Sequence, residues 1–115
     1  MDYLLPVEEL PSGFMYPSEF MRVVDLGLTN LEPWWILGGE LLTDRARGLR
    51  QRFPRRSLVP FAKRQDNDDV ACWDVARNKV IVVHDFGDPD AGDRGEYENF
   101  YSWLRRAIED LIIFD

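Results

Sequence analysis

The stretch from residue 58 to residue 86, LVPFAKRQDNDDVACWDVARNKVIVVHDF, decides the fold. It contains three runs rich in apolar and β-branched side chains, at residues 58–62, 70–75 and 79–86, and each run is predicted to form a strand. Three residues join the last two runs, which is short enough for a hairpin and therefore for antiparallel pairing. The third run is apolar at successive positions, so we expect a central strand that is covered on both faces.

A short helix is predicted before this stretch. Ser18 is its candidate N-cap, and Gly27 supplies a stop. Apolar residues recur between them at helical spacing, at Phe20, Val23 and Val24. The preceding residues 1–16 are interrupted by prolines and read as an irregular lead-in. Residues 29–39 have an apolar centre closed by two glycines, which predicts a loop or a short strand packed on the core.

Two further helices are predicted on either side of the strands. Apolar side chains share one face of the second helix, and Pro54 ends it. These side chains are Leu42, Ala46, Leu49 and Phe53. The stripe of the third helix consists of Tyr97, Phe100, Tyr101, Leu104, Ile108 and Leu111, widened by Trp103 and Ala107. Glu109 and Asp110 lie near its C-terminus, where the helix dipole disfavours acids, so we expect them to serve a partner or solubility.

The order helix, helix, three strands, helix predicts a single α+β domain over residues 1–115. The chain has 45% hydrophobic and 13% aromatic residues, enough to fill one core. This composition excludes a chain that is mainly disordered.

The charges are unevenly distributed along the chain. There are 14 basic and 21 acidic residues, a net charge of −7. Residues 45–64 nevertheless contain eight bases and no acid, whereas the segments before and after them are acidic. The simpler interpretation is that the basic segment pairs with the acidic ones inside the domain, and the alternative is a bipolar surface that steers a charged partner. The acidic balance argues against nucleic-acid binding and favours a basic partner.

The cysteine content and the lengths of the apolar runs indicate in which cellular compartment the protein is found. The longest apolar runs, such as residues 80–83 and 111–114, are far below the roughly 18 residues that cross a bilayer. The start of the chain lacks the pattern of a secretory signal, and a lone Cys72 cannot form an internal disulfide. We therefore expect a cytoplasmic protein that does not act on a membrane.

An acidic cluster lies between the first two predicted strands, at residues 64–69. A calcium loop would need a glycine directly after Asp69 and a glutamate at the twelfth position, and both are missing, so the metal signal is weak. Asx residues commonly close tight turns, so a structural turn is the simpler interpretation and an acidic rim that binds a partner is the alternative. A second acidic loop is predicted at residues 87–95.

Cys72, His84 and Asp85 invite comparison with a thiol hydrolase, in which histidine deprotonates cysteine. Strand alternation argues against it, because Cys72 falls inside a strand and Asp85 points to the face opposite His84. We expect a structural cysteine, and we expect His84 and Asp85 to anchor local loop backbone. Zinc would need more histidine or cysteine ligands, and no phosphate-binding glycine loop occurs. The sequence thus predicts no cofactor, no metal and no catalysis.

Four segments of the chain resemble the SUKH superfamily, the group related to the yeast cell-wall-assembly regulator of the Smi and Knr type. They are residues 52–54 (RFP), 58–74 (LVPFAKRQDNDDVACWD), 83–86 (VHDF) and 100–104 (FYSWL). The likeness runs from about residue 33 to residue 115, and its specific part is the PFA…DNDD.AC.D run. The resemblance implies an α+β fold with a small, mainly antiparallel sheet flanked by helices.

The resemblance also implies a function without catalysis. Bacterial members are best known as immunity proteins that bind and neutralise polymorphic toxins, often nucleases, and fungal members serve as interaction modules. We therefore expect an antitoxin-like immunity protein whose acidic surface meets a basic toxin. The alternative is an intracellular regulatory or scaffold module, and a carboxylate-dependent metal enzyme is a remote third class. The candidate contact residues are Asp66, Asp68, Asp69, Asp88, Asp90, Asp93 and Glu96.

Overall fold

The computed structural model describes residues 2–114, which contain six strands, three α-helices and a short 3₁₀-helix at Val7–Glu9. The strands are β1 (Asn30–Leu31), β2 (Trp34–Ile36), β3 (Leu58–Arg64), β4 (Asp69–Asp74), β5 (Lys79–His84) and β6 (Gly95–Tyr97). The helices are α1 (Ser18–Asp25), α2 (Gly39–Arg52) and α3 (Phe100–Ile113). All neighbouring strands are antiparallel, in the order β1-β2-β3-β4-β5-β6. The predicted α+β class is confirmed; Met1 and Asp115, the ends of the predicted domain, lie outside the described residues.

The three predicted strands and their hairpin are confirmed, with small shifts at the ends. β4 and β5 pair from Asp69 opposite His84 to Asp74 opposite Lys79. The turn between them uses Asn78 at φ 53°, a left-handed conformation that asparagine tolerates well. β5 is bonded to a strand on each side, and its residues from Val80 to Val83 are buried. The expectation of a strand covered on both faces is therefore correct.

Strand alternation divides the sheet into two faces. The aromatic face carries Val59, Phe61, Trp73 and Val80, and it belongs to the main core. The aliphatic face carries Val70, Cys72, Ile81 and Val83, which form a second, smaller core. Side chains of α1, α3, the lead-in and the first half of α2, at Leu42 and Ala46, pack in the main core, whereas Leu49 and Phe53 at the end of α2 complete the smaller one.

Edge-to-face aromatic contacts hold the main core together. Phe20 of α1 meets Trp73 with ring centroids 5.0 Å apart and planes at 89°. Trp103 of α3 meets Phe61 at 4.8 Å and Trp34 at 5.4 Å, again nearly perpendicular. This geometry places the positive edge of one ring on the negative face of the next. The same rings that fill the core thereby fix both helices on the sheet.

The first two helices differ from the prediction at their starts. Ser18 is not the N-cap of α1 but its first residue; Pro17 caps the helix without a side-chain bond, and the Ser18 hydroxyl donates to Glu19. α2 begins at Gly39, three residues before the predicted apolar face. This residue adopts φ 58°, which glycine allows, and its N–H donates to the Asp2 carbonyl. The predicted short strand in residues 29–39 is confirmed as the hairpin of β1 and β2.

The stripe predicted for the third helix is rotated in the structure. The side of α3 that faces the sheet consists of Phe100, Trp103, Ala107 and Asp110, whereas Tyr101, Ile108 and Leu111 remain exposed. The helix begins at Phe100, and Asn99 is its N-cap, whose side chain accepts a bond from Ser102 N. Tyr97 therefore belongs to β6 and not to the helix. β6 itself was not predicted, because it is three residues long.

Asp110 is buried, contrary to the expectation that it serves a partner or solubility. Its carboxylate accepts hydrogen bonds from Trp34 Nε1 at 3.0 Å and from Arg106 Nε at 3.1 Å. Arg64 lies 3.5 Å away and also covers the Trp34 ring. Two cations and an indole N–H therefore compensate an acid that the helix dipole disfavours.

Among residues 2–114, no helix combines the length and the apolar character needed to cross a bilayer.

Replacing Asp110 with alanine should destabilise the fold by about 2–3 kcal/mol, because it leaves the buried Trp34 N–H without an acceptor. Urea unfolding measures this change. Glu98→Ala, at an exposed position just before α3, is the matched control and should change stability by less than about 0.5 kcal/mol. Equal effects of the two substitutions would contradict this role of Asp110.

Candidate protein-binding surface

The seven predicted contact acids do not form one surface. Asp66, Asp68 and Asp69 lie at the turn between β3 and β4; Asp88, Asp90 and Asp93 lie in the loop before β6; and Glu96 lies in β6. The turn and the start of the loop meet at one end of the sheet, where Asp85 N donates to the Asp68 carbonyl at 2.9 Å. The rest of the loop folds back over a cavity of ≈ 350 Å³ lined by Phe53 and Val83.

The β3–β4 turn is held by its own side chains. Asn67 Oδ1 accepts a bond from Asp69 N at 2.8 Å, which is an Asx turn. The Lys63 ammonium donates to the carbonyls of Arg64 and Asn67. Asp66 receives two bonds from the Arg64 guanidinium, at 2.8 and 3.0 Å, and these hold the pKa of Asp66 below its ordinary value. These contacts agree with the simpler interpretation of residues 64–69, which is a structural turn.

Asp69 of β4 lies opposite His84 of β5, and the Asp69 carboxylate contacts both His84 and Arg94. The Asp69 carboxylate lies 2.9 Å from His84 Nδ1 and 3.2 Å from Arg94 Nε. His84 therefore contacts a side chain of the adjacent strand, and the expectation that it anchors local loop backbone is wrong. This contact joins the end of β5 to the last residue of the loop.

Asp93 and Glu96 are also paired within the chain. Asp93 accepts bonds from Arg56 at 2.8 and 3.1 Å, and Arg56 also contacts the buried Asp74. Glu96 contacts Arg77 and lies 3.6 Å from Lys79 Nζ. Together these pairs fasten the loop and β6 to the hairpin of β4 and β5.

Internal pairing accounts for the basic segment, residues 45–64. Seven of its eight bases have a carboxylate within 4.0 Å. Two of them, Arg47 and Arg50, share Glu9 of the lead-in, and their hydrogen bonds lower the pKa of that carboxyl. The simpler interpretation of this segment is therefore confirmed, and its cations do not form a bare patch.

Asp85 is the most heavily bonded carboxylate of the domain, and it is fully buried. It accepts bonds from Arg52 at 2.5 and 2.7 Å, from Arg45 at 2.6 Å and from Phe86 N at 2.9 Å. Burial alone would raise the pKa of Asp85, but the bonds from Arg52 and Arg45 outweigh it, so the pKa lies below its ordinary value. The predicted link to loop backbone is present, and the two arginines of α2 were not foreseen.

Gly48 makes room for this arrangement in the middle of α2. A Cβ at this position would overlap the Arg52 guanidinium. Arg52 can therefore fold back over its own helix towards Asp85 only because residue 48 has no side chain.

Phe86 is the exposed aromatic of this region. Its side chain is 63% exposed, and its backbone has φ 64°, which bulky residues adopt only at a cost of about 1–3 kcal/mol. The Arg52 guanidinium lies 4.0 Å from the ring centroid, and that of Arg45 lies 5.6 Å away. The bond from Phe86 N to Asp85 holds the backbone at this residue, and the ring stacks on Arg52 at the surface. Sequence reasoning missed this residue, because only the backbone shows that it leaves the core.

Asp88 and Asp90 lie two and four positions after Phe86 in the loop. Asp88 Oδ1 accepts a bond from Asp90 N at 2.9 Å, and both side chains are exposed. Within residues 2–114, neither carboxylate has a basic side chain within 4.0 Å. They differ in this from the other five predicted contact acids, each of which has a basic side chain within 4.0 Å. The assignment of all seven to a partner surface stays a prediction.

The structure gives no geometry for nucleophilic catalysis at Cys72. The thiol is buried on the aliphatic face, as strand alternation predicted, and burial raises its pKa. Its polar contact is with the Val70 carbonyl at 3.9 Å. In the part of the chain that the structure describes, no three His, Cys, Asp or Glu side chains are grouped to hold a metal ion.

No protein-family model, no curated protein and no solved structure matches this chain. The resemblance to the SUKH superfamily therefore stays a prediction.

Gly48→Ala should destabilise the protein by about 1–2 kcal/mol, although the same change in an ordinary helix stabilises by about 0.5–1 kcal/mol. The reason is that the new Cβ displaces Arg52 from Asp85. In an Arg52→Ala background this conflict is absent, so Gly48→Ala should there be stabilising. Chemical unfolding of the four proteins of this cycle measures the coupling, and additive effects would contradict the proposed clash.

Asp85→Asn should cost about 3 kcal/mol at pH 7, because it leaves two arginines without their buried counter-charge. The folded pKa of Asp85 lies below the ordinary 3.8, so its contribution is present above that value and is lost as the pH falls through the folded pKa. The difference in unfolding free energy between wild type and variant should therefore shrink below about pH 4. Asp44→Asn, at an exposed position of α2, is the control, and its unfolding free energy should equal that of the wild type both at pH 7 and below about pH 4. An effect of Asp85→Asn that does not change with pH would contradict the ion-pair argument.

Proposed function

We propose that this chain is a non-catalytic, SUKH-like protein-binding domain that acts as an immunity protein and neutralises a basic toxin. The observation that carries this proposal is Phe86, an exposed aromatic ring that the buried Asp85 and the stacked Arg52 hold in a strained backbone conformation. Strain of this kind persists only where the surroundings enforce it, and it concentrates at sites of function.

A ring held in this way is suited to be the centre of an interface. Aromatic side chains supply most of the affinity at many protein interfaces when they enter a pocket of the partner. Because Phe86 is already fixed by Arg52 and by its bond to Asp85, little conformational entropy is lost when it binds. The ring can therefore contribute more affinity than a mobile exposed residue.

The charges beside Phe86 favour a basic partner. Asp88 and Asp90 are exposed, and no cation of the described residues neutralises them. The net charge of −7 attracts a cationic protein over a longer range and speeds the encounter. A nuclease fits this chemistry, because the groove that binds nucleic acid is positively charged and an acidic inhibitor can cover it. We place this action in the cytoplasm, where nucleic acid must be protected.

Binding and neutralisation can be tested with one set of variants. Tagged chain captures its partner from native lysate at low salt, and the basic protein that is retained is then expressed alone and together with this chain. Expression alone should arrest bacterial growth, and co-expression should restore it. Phe86→Ala should raise the Kd at least about 30-fold and abolish protection, because it removes the central ring.

Trp35→Ala is the matched control. Trp35 is 48% exposed in β2, three strands away from β5, so its loss should leave protection intact. Asp88→Lys together with Asp90→Lys should slow association about tenfold and weaken its dependence on salt. A captured protein that does not impair growth would refute the immunity function. Capture of several non-toxic intracellular proteins would support the alternative, a regulatory or scaffold module.

A further inference from the structure

Helix α3 has an apolar sector that is wider than the side it buries. Phe100, Trp103 and Ala107 face the sheet. A second row runs along the helix beside them, at intervals of three, four and three residues. It consists of Tyr101, Leu104, Ile108 and Leu111, and Ile112 extends it.

The domain covers this second row only in part, because Leu104 packs against the main core and the other members keep a share of their side chains exposed. Tyr101, Ile108 and Leu111 are 36%, 38% and 40% exposed, and Ile112 is 72% exposed. Alternating intervals of three and four residues place side chains on one stripe of a helix, the spacing by which one helix packs against another. The row therefore has the pattern of a helix–helix interface and lacks its second helix.

The border of the row carries two opposite charges. Arg105 and Glu109 lie one helical turn apart on the exposed side of α3. Neither forms an ion pair with the other or with any charged side chain of residues 2–114, whereas the neighbouring Arg106 and Asp110 are paired at 3.1 Å. Arg105 and Glu109 are thus available to pair outside the chain.

A second copy of α3 is complementary to this surface. When two copies lie antiparallel about a twofold axis near Ala107, Arg105 of each copy is level with Glu109 of the other, so two identical ion pairs form. Leu104 of each copy is then level with the gap between Ile108 and Ile112 of the other. α3 carries two bases and two acids, so the net charge of −7 does not oppose close approach at this place.

We propose that α3 is the interface of a reversible antiparallel homodimer of this chain. The exposed part of the row amounts to on the order of 500 Å² on each copy, which lies in the lower range of protein interfaces and indicates a weak dimer. The helix packs on the aromatic face, whereas Phe86 stacks on Arg52 at the end of α2, beside Leu49 and Phe53 of the aliphatic face. The dimer therefore leaves both copies of Phe86 free, and it does not depend on the proposed function.

Exchanging the two border charges tests this interface directly. In sedimentation experiments from about 5 to about 500 µM, the wild type should shift from monomer to dimer with concentration. Arg105→Glu and Glu109→Arg should each raise the dimer Kd at least about tenfold, because each places like charges opposite each other at both sites. An equimolar mixture of the two variants should form heterodimers, since every opposing pair is then of opposite sign.

Glu40→Arg, at an exposed position of α2, makes the same change in net charge as Glu109→Arg and is the matched control; it should leave the wild-type Kd unchanged. Circular dichroism of each variant at low concentration checks that the fold is intact. A wild type that stays monomeric over the whole range would overturn the proposal. A dimer that neither single exchange weakens, or variants that do not associate when mixed, would overturn it as well.

Discussion

Burial of both faces of β4 and β5 is the constraint on which the rest of the structure depends. Ala71 and Trp73 point to the aromatic face, and Val70 and Cys72 point to the aliphatic face, so neither side of the sheet can remain open to water. The aromatic face is covered by rings that α1, α3 and the lead-in supply. The aliphatic face receives only the end of α2, and the loop after β5 must cover what this helix leaves open.

Ion pairs hold the end of α2 and the loop after β5 on the aliphatic face. Asp85 joins the end of β5 to two arginines of α2, and Arg56 joins the loop, through Asp93, to the buried Asp74. Groups of this kind are costly to bury singly, so each is compensated by more than one partner. Seven of the eight bases of residues 45–64 are thereby paired with carboxylates of the same domain. At the surface near Asp85 remain the Phe86 ring and two carboxylates, Asp88 and Asp90, which no cation of residues 2–114 pairs.

The parts of the prediction that succeeded rest on short-range patterns. The β4–β5 hairpin followed from a three-residue connection, and the burial of Cys72 followed from strand alternation. The candidate site was predicted less well. The turn within residues 64–69 was recognised, but most of the seven acids proved to be paired with the chain itself, and Phe86 was not singled out. The stripe of α3 was placed about one side chain away from the buried side, because the helix is apolar over more than half of its circumference and periodicity alone does not choose between its flanks.

The sequence by itself determined the α+β order, the antiparallel hairpin and the alternation that produces two buried faces. These features depend on periodicity and turn length, which act over a few residues. Only the tertiary structure decided which side of α3 is buried and which cation compensates each carboxylate. Arg52 and Asp85 are 33 positions apart, and Trp34 and Asp110 are 76 positions apart. Contacts over such distances arise from the packing of whole elements, and it is this packing that leaves Phe86 outside the core.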